Sequence, residues 1–508
     1  MKRIGLVDIG SNTIRLVLFE YEAKTGLKEL QNIKAPARLE SFLDSEDVME
    51  TEGVDRLLSI LKSFKQISEK YGVEDVYPVA TSAIRQSINV DEILERVKHE
   101  LGINIKVITG DEEAYYGYHA VVHTISNMDA VTIDIGGGST EITYFEDKDL
   151  MHSVSLPFGA VTLHNMFFKD RKHNDKKAIA ATEKYVREQL NSVKWLPKRK
   201  VPIIAIGGSA RSIARIHQSS INYPIAGVHG FSMKESDLKD VYKLLKDTDE
   251  DDLDDIDGLS KDRSDIILPA SIVFKSLYST VKAQEFKFSR KGLREGLAMS
   301  IISKENPDAF NKFKIFSTSL RELANNFHIN ESAGARRTEI AERVYHELEK
   351  FDFISFQKHE KHLMMSAAYI FYLGEFIDRD ATSQHTYYLI TNSNINGIVH
   401  KDRVRLGLLA SFKNKTLLQF YAKESGWFGS DEIKTIQVLG SILKFSNALN
   451  VSDTGVVAEL YMEKADDNFV LNVKYKGDPI AEEYQANRQK KHIEKIIGTD
   501  LEVKFTEA

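Results

Sequence analysis

The stretch Val7-Asp8-Ile9-Gly10-Ser11-Asn12-Thr13-Ile14-Arg15-Leu16 decides the fold, because the chain writes it twice. Its counterpart is Ile133-Asp134-Ile135-Gly136-Gly137-Gly138-Ser139-Thr140-Glu141-Ile142. Each is an apolar strand ending on an acid, a tight turn of small residues and a second strand. Asp134 follows Asp8 by 126 positions, and Phe145 follows Phe19 by the same 126, so the blocks align without a gap. One block would be a weak signal, since any tight turn favours Gly, Asn and Asp. Two at one offset mark the openings of two halves of a duplicated α/β unit.

Outward from the first block, Arg3–Val7 and Thr13–Phe19 read as strands and Asp55–Tyr71 as an amphipathic helix with Leu57, Leu58, Leu61 and Phe64 on one face. Asp75–Val79 reads as a strand, Asp91–Leu101 as a helix and Ile105–Ile108 as a strand. This alternation predicts a mostly parallel, doubly wound sheet. Around the second block, Ala130–Ile133 and Glu141–Phe145 read as strands and Lys176–Val193 as a helix. Val201–Ile206 reads as a strand, with a helix after Gly207-Gly208-Ser209. The acidic run Asp247–Asp257 reads as a solvated loop or frayed helix. From about Pro307 the texture turns helical, over Phe310–Phe327, Arg337–Lys350 and Arg403–Phe412, with strand signals across Glu459–Tyr475. The expected domains are 1–124, 125–304 and 305–508.

Composition agrees with a multi-domain globular protein. At 508 residues the chain exceeds one compact core. A net charge of -7 gives no global field that would draw nucleic acid, so an anionic substrate needs a local basic site. The absence of cysteine excludes disulfides, cysteine-ligated zinc and thiol catalysis. No apolar run reaches transmembrane length, and the first residues enter a strand pattern directly; a cytoplasmic protein is expected.

The chemistry of the two blocks suits phosphate. Small residues let successive backbone N–H groups converge on phosphoryl oxygens. Ser11, Thr13 and Ser139 add hydroxyl donors, and Asp8 and Asp134 at the strand ends can hold Mg²⁺ directly or through water. The repeat is asymmetric: Asn12 matches Gly138, and Arg15 matches Glu141. Glu141 is thereby the better metal candidate. Arg15 is either its electrostatic partner or a packing and hairpin ion-pair residue.

These residues resemble the exopolyphosphatase / guanosine pentaphosphate phosphohydrolase family, a branch of the actin-like superfamily. The resemblance runs through Val7–Leu16, Ala80-Thr81-Ser82-Ala83-Ile84-Arg85, Ile108-Thr109-Gly110-Asp111-Glu112-Glu113-Ala114 and Asp134–Glu141. It continues through Leu156-Pro157-Phe158-Gly159-Ala160-Val161, Gly207-Gly208-Ser209 and Gly292-Leu293-Arg294-Glu295-Gly296. It implies duplicated actin-like (ribonuclease H-like) α/β domains followed by a mostly helical, degenerate HD-like C-terminal domain. It implies Mg²⁺ as cofactor, allows K⁺ as an activating monovalent ion, and implies a homodimer.

The resemblance also assigns roles. Glu112 takes the position that activates water, with Glu113 its rival; the residues alone equally allow an exposed acid in a helix's first turn. Arg85 is expected on phosphate, as a bidentate guanidinium. Asn12, Gly137, Gly138, Gly208 and Ser209 line the phosphate cleft, with Arg294 near it. Asp262, Arg263 and Asp265 approach the site or only charge a helix N-terminus.

The implied activity is release of terminal orthophosphate from inorganic polyphosphate, with conversion of guanosine pentaphosphate to tetraphosphate as the alternative. An ATP-dependent kinase of the actin-like superfamily and a catalytically silent scaffold are more distant readings. In the tail an HD site would need a His-Asp pair, and none of the 15 histidines precedes an aspartate. His359, His362 and His385 are expected to pack or face solvent. Arg336-Arg337, Lys413/Lys415 and Arg488/Lys490/Lys491 are candidate guides for a polyanion or simply solvated charge.

Overall fold

The computed structural model describes residues 1–465 and 468–508; residues 466–467, inside the stretch expected to be strand, lie outside the described residues. The chain forms two compact units, Met1–Tyr223 with Gly227–Ile315, and Pro224–Ala226 with Phe316–Ala508.

The first unit holds both repeats. β1 (Lys2–Ile9), β2 (Thr13–Glu22), β3 (Gly26–Pro36), β4 (Val76–Ala80) and β5 (Lys106–Val107) form one sheet in the order β3-β2-β1-β4-β5. β6 (Ala130–Ile135), β7 (Thr140–Glu146), β8 (Asp149–Leu156), β9 (Ile203–Ile206), β10 (Ser232–Met233) and β11 (Phe286–Phe288) form the second, in the order β10-β11-β9-β6-β7-β8. In each half three antiparallel strands are followed by two parallel additions, and in the second β10 then joins β11 antiparallel. The sheets are therefore mixed, which corrects the expectation of a mostly parallel sheet. The tight turns after β1 and β6 leave no room for a crossover, so each can only reverse the chain.

The lead strands are apolar on both faces because both are covered. Val7 and Ile9 of β1 pack with Leu57, Leu61 and Val97 on one side. Ile4 and Leu6 pack with Leu297, Ala298 and Ile302 on the other. β3 and β8 were not foreseen. Both lie at sheet edges with much of their length half-exposed, so neither carries a clean apolar alternation.

Two helices cross between the halves. Helix Gly110–Val122 follows the first sheet but packs Tyr118, Val121 and Val122 against Phe145, Ile204 and Ile206 of the second. Helix Leu293–Glu305 follows the second sheet but covers the first. They touch at Gly296, where a Cβ would stand 1.8 Å from the Tyr116 carbonyl oxygen; only glycine permits that approach. The acidic run forms a 3-10 turn over Glu250–Asp255, pinned by the buried Leu253.

The second unit is helical, as expected, with a small sheet at its end. Its first helix spans Ile315–Asn326, starting later than foreseen. Asn311 accepts from the Phe313 N–H at 2.9 Å, a local turn that competes with helix. β12 (Val457–Ala465) and β13 (Asn468–Tyr475) pair antiparallel, and β14 (Leu501–Glu507) joins β13 in parallel. Arg337 turns inward, donating to the Phe371 carbonyl at 2.8 Å, which removes it as a polyanion guide. His359 meets Asp402 at 3.1 Å, and His362 rests against the Phe316 ring. No helix among the described residues is long and apolar enough to cross a membrane.

Candidate active site

The two turns are built alike. Gly10 N–H donates to the Thr13 carbonyl at 3.2 Å, and Gly136 N–H donates to the Ser139 carbonyl at 2.9 Å. They face each other across one cleft: a Cβ placed on Gly137 would stand 3.1 Å from Ser11 Cβ. Ser11 and Ser82 hydroxyls are 2.8 Å apart beneath the first turn. Gly159 must lack a side chain, since a Cβ there would fall 2.2 Å from the Gly137 carbonyl oxygen.

Of the residues singled out from the sequence, Asp8, Ser11, Asn12, Thr13, Asp134, Gly137, Ser139, Gly208 and Arg294 line this cleft. Gly138 lies behind its turn against Ser82, and Ser209 is buried behind Gly208. Glu112, Arg85 and Glu141 are not in the cleft wall.

Glu112 is a capping residue. Its carboxylate accepts from the Thr109 N–H at 3.0 Å, while Glu112 N–H donates to the Thr109 hydroxyl at 3.1 Å. The Lys106 ammonium, with the Thr109 amide, holds its carboxyl below the usual range. The next residue, Glu113, lines the cleft instead. Burial, then the neighbouring Glu141 charge, push its carboxyl well above the usual range. Arg85 reaches this carboxylate at 3.2 Å and the Ile108 carbonyl at 2.8 Å, so Arg85 orients an acid and does not line the phosphate cleft. Neighbouring positions on a helix point about 100° apart, and the capping box fixes which of the two acids turns outward.

Glu141 pairs across the strands with Asp134, accepts from the Ser155 hydroxyl at 2.9 Å, and is also raised, chiefly by burial. In the first half Asp8 is opposed by Arg15, so the charge partner of Arg15 is Asp8, not Glu141. Arg294 approaches Asp8 at 3.7 Å.

The cleft carries a ring of arginines: Arg15, Arg211, Arg263, Arg290 and Arg294. This is the local basic site that a chain of net charge -7 needs for an anionic substrate. Burial and the neighbouring guanidiniums lower Arg211 to about 10. Arg263 lies over Gly208, where a Cβ would stand 2.1 Å from its Nη2. Both flank the N-terminus of helix Gly207–Ser220, whose free N–H groups add positive potential. Of these, Arg211 and Arg290 escaped the sequence reading. Arg211 was readable, being one helical turn past Gly207.

Asp8 and Asp134 are raised by burial, Asp134 to about 6 with the Asp8 charge contributing. Two such carboxylates facing one cleft are the hard oxygen donors that suit a hydrated Mg²⁺. Glu141 faces Asp134 across the strands, behind the cleft wall, and among the described residues no group of three or more acids or histidines is already gathered as a metal cluster.

Two lobes with facing acidic-glycine turns, joined by crossed helices, define an actin-like α/β protein with a phosphate-type cleft. The Ppx/GppA phosphatase family matches residues 17–305, and its domain III matches residues 315–486; the chain belongs to this family. It is 24% identical over 411 residues to a guanosine-5'-triphosphate,3'-diphosphate pyrophosphatase of Vibrio atlanticus, covering 79% of each chain. It is 27% identical over 284 residues to a bifunctional 3-dehydroquinate synthase/phosphatase of Fusobacterium nucleatum, a match over 53% of this chain but only 42% of that longer protein. Among solved structures, the Aquifex aeolicus Ppx/GppA family member superposes with TM-score 0.54 at 26% identity, over 60% of this chain and 98% of that one. An exopolyphosphatase from Cytophaga hutchinsonii has the same fold, with TM-score 0.55 at 23% identity over 60% and 98% of the two chains.

Proposed function

We propose that the cleft hydrolyses the terminal phosphoanhydride of a polyphosphorylated substrate, with inorganic polyphosphate the leading candidate. The observation that carries this is one cleft lined by both an arginine ring and a half-buried carboxyl, Glu113. The terminal phosphoryl group sits between the turn amides, with Ser11, Thr13 and Ser139 adding hydroxyl donors. Arg211, Arg263 and Arg294 neutralise the following phosphates. Glu113 takes a proton from water as the water oxygen attacks phosphorus, and the bridging P–O bond breaks towards the shortened chain. The arginines stabilise the charge that develops on the leaving oxygen. Asp8 and Asp134 would hold Mg²⁺, which supplies charge neutralisation at the phosphoryl oxygens.

Conversion of guanosine pentaphosphate is the second reading, favoured by the likeness to the Vibrio atlanticus protein over most of both chains. The helical unit is read as an HD-like scaffold without the His-Asp pair that a metal centre of that type needs. One panel tests the proposal: orthophosphate release with Mg²⁺ from long-chain polyphosphate, tripolyphosphate, guanosine pentaphosphate and ATP. Release from long chains and little from ATP is expected; release from none of the four would sink it.

A further inference from the structure

Glu40 has no part in the chemistry above, yet its side chain lies at the seam of the two phosphate turns. It sits in a 3-10 turn, Leu39–Phe42, entered through Arg38 in the left-handed region at φ 51°. That turn wraps the first phosphate turn: Ala37 and Arg38 N–H groups donate to the Asn12 carbonyl at 3.1 and 2.9 Å, and Glu40 N–H donates to the Ser11 carbonyl at 3.2 Å. The carboxyl then crosses the seam. Its Oε2 is 3.2 Å from where a Cβ of Gly137 would stand and 3.7 Å from that of Gly138. The Ser11 hydroxyl approaches it from the first half and the Thr162 hydroxyl from the second, both favouring the charged form against the burial that raises its pKa. Thr162 is itself tied to the second turn, its N–H donating to the Gly137 carbonyl at 3.2 Å. Oε2 is buried without a hydrogen-bond partner, a costly arrangement that persists only where the surroundings fix the side chain.

We propose that Glu40 is a positioning residue for the phosphate clamp, a carboxyl that bridges the two halves beneath the turns and sets their separation. The proposal rests on the hydrolase reading only for its kinetic consequence. With the bridge gone, the turns lose a common support and close less tightly on a terminal phosphoryl group. Gly137 and Gly138 are then small because the bridge needs the space that a side chain would fill.

Glu40→Ala and Glu40→Gln test it, through amide hydrogen exchange of 10–13 and 136–139 and through KM and kcat on long-chain polyphosphate. Glu40→Ala is expected to speed exchange in both turns and to raise KM about tenfold, the scale of one lost charge-assisted contact. Glu40→Gln, which keeps the length and shape of the side chain across the seam, is expected to restore both. Exchange in helix Lys176–Ser192 serves as the control for the overall fold. Wild-type exchange in both turns of Glu40→Ala would overturn the proposal, and so would Glu40→Gln as impaired as Glu40→Ala. The exchange readout needs no turnover, so it still decides if the wild-type chain hydrolyses no phosphoanhydride.

Discussion

Arg85 Nη1 lies 3.2 Å from Glu113 Oε2, and the same guanidinium nitrogen is anchored 2.8 Å from the Ile108 carbonyl oxygen. The arginine is fixed by the backbone, and it fixes the acid in turn. Glu113→Gln should therefore abolish turnover, by at least about a hundredfold if the carboxylate acts as general base, while substrate still binds. Glu112→Gln should leave turnover close to wild type, because glutamine preserves the helix cap. Equal losses in the two variants would refute the assignment.

Arg85 also sets a pH limb. It favours the charged form of Glu113 against burial and the Glu141 charge, both of which raise that acid. A general base acts deprotonated, so kcat should rise with pH through the raised value. Arg85→Ala removes a charge that lowers it, so the acid limb should move to higher pH. A pH–rate profile of both proteins checks the direction; a shift to lower pH would contradict it.

This acid pair also shows where the sequence stops being legible. The duplicated turn could be read because it is local: the equal offset of 126 between the two blocks needs no tertiary information. So could Asp8, Asp134 and the turn hydroxyls, which lie within a few residues of the turns. The Thr109-x-x-Glu112 pattern of the capping box is written in the sequence, but which of Glu112 and Glu113 enters the cleft shows only in three dimensions. That five arginines close into one ring could not be read, since Arg15, Arg211, Arg263, Arg290 and Arg294 come from distant segments. Edge strands β3 and β8 were missed because half-exposed strands need no apolar alternation.

With the arginine ring as its binding surface, polyphosphate binding should be salt-dependent. Arg263→Ala removes a guanidinium that overlies the helix N-terminus at Gly208. It should weaken polyphosphate binding by about tenfold or more. It should also flatten the slope of log affinity against log salt by roughly 1, by analogy with other polyanions. Titrations at several salt concentrations measure both effects. An unchanged slope would place Arg263 outside the phosphate path.

Gly207 holds Asp134 in place. Its φ is +92°, where an L side chain is strained, and a Cβ there would stand 2.5 Å from Asp134 Oδ1. Gly207→Ala should cost on the order of 1–3 kcal/mol in stability from backbone strain. It should lose activity further, by displacing the carboxylate. Denaturant unfolding beside steady-state rates separates the two effects.

Asp134 links stability to pH and to metal. Its carboxyl is raised from 3.8 to about 6, mainly by burial and then by the Asp8 charge. In this window the folded state binds more protons than the unfolded one, so the sign is the reverse of an ordinary salt-bridged aspartate. The contribution is fully present below the unfolded value and is lost as pH rises through about 6. At about 1.4 kcal/mol per pKa unit, the metal-free protein should lose up to roughly 3 kcal/mol from this group between pH 4 and 7. Asp134→Asn removes the titration, so its unfolding free energy should fall less steeply across the same range. If Mg²⁺ binds between Asp8 and Asp134, it relieves the same repulsion. It should then raise Tm in the wild type most strongly above pH 6, and hardly at all in Asp134→Asn. A Mg²⁺ effect of equal size in both proteins would mean the cation binds elsewhere, because a ligand stabilises only through the site it occupies in the folded state.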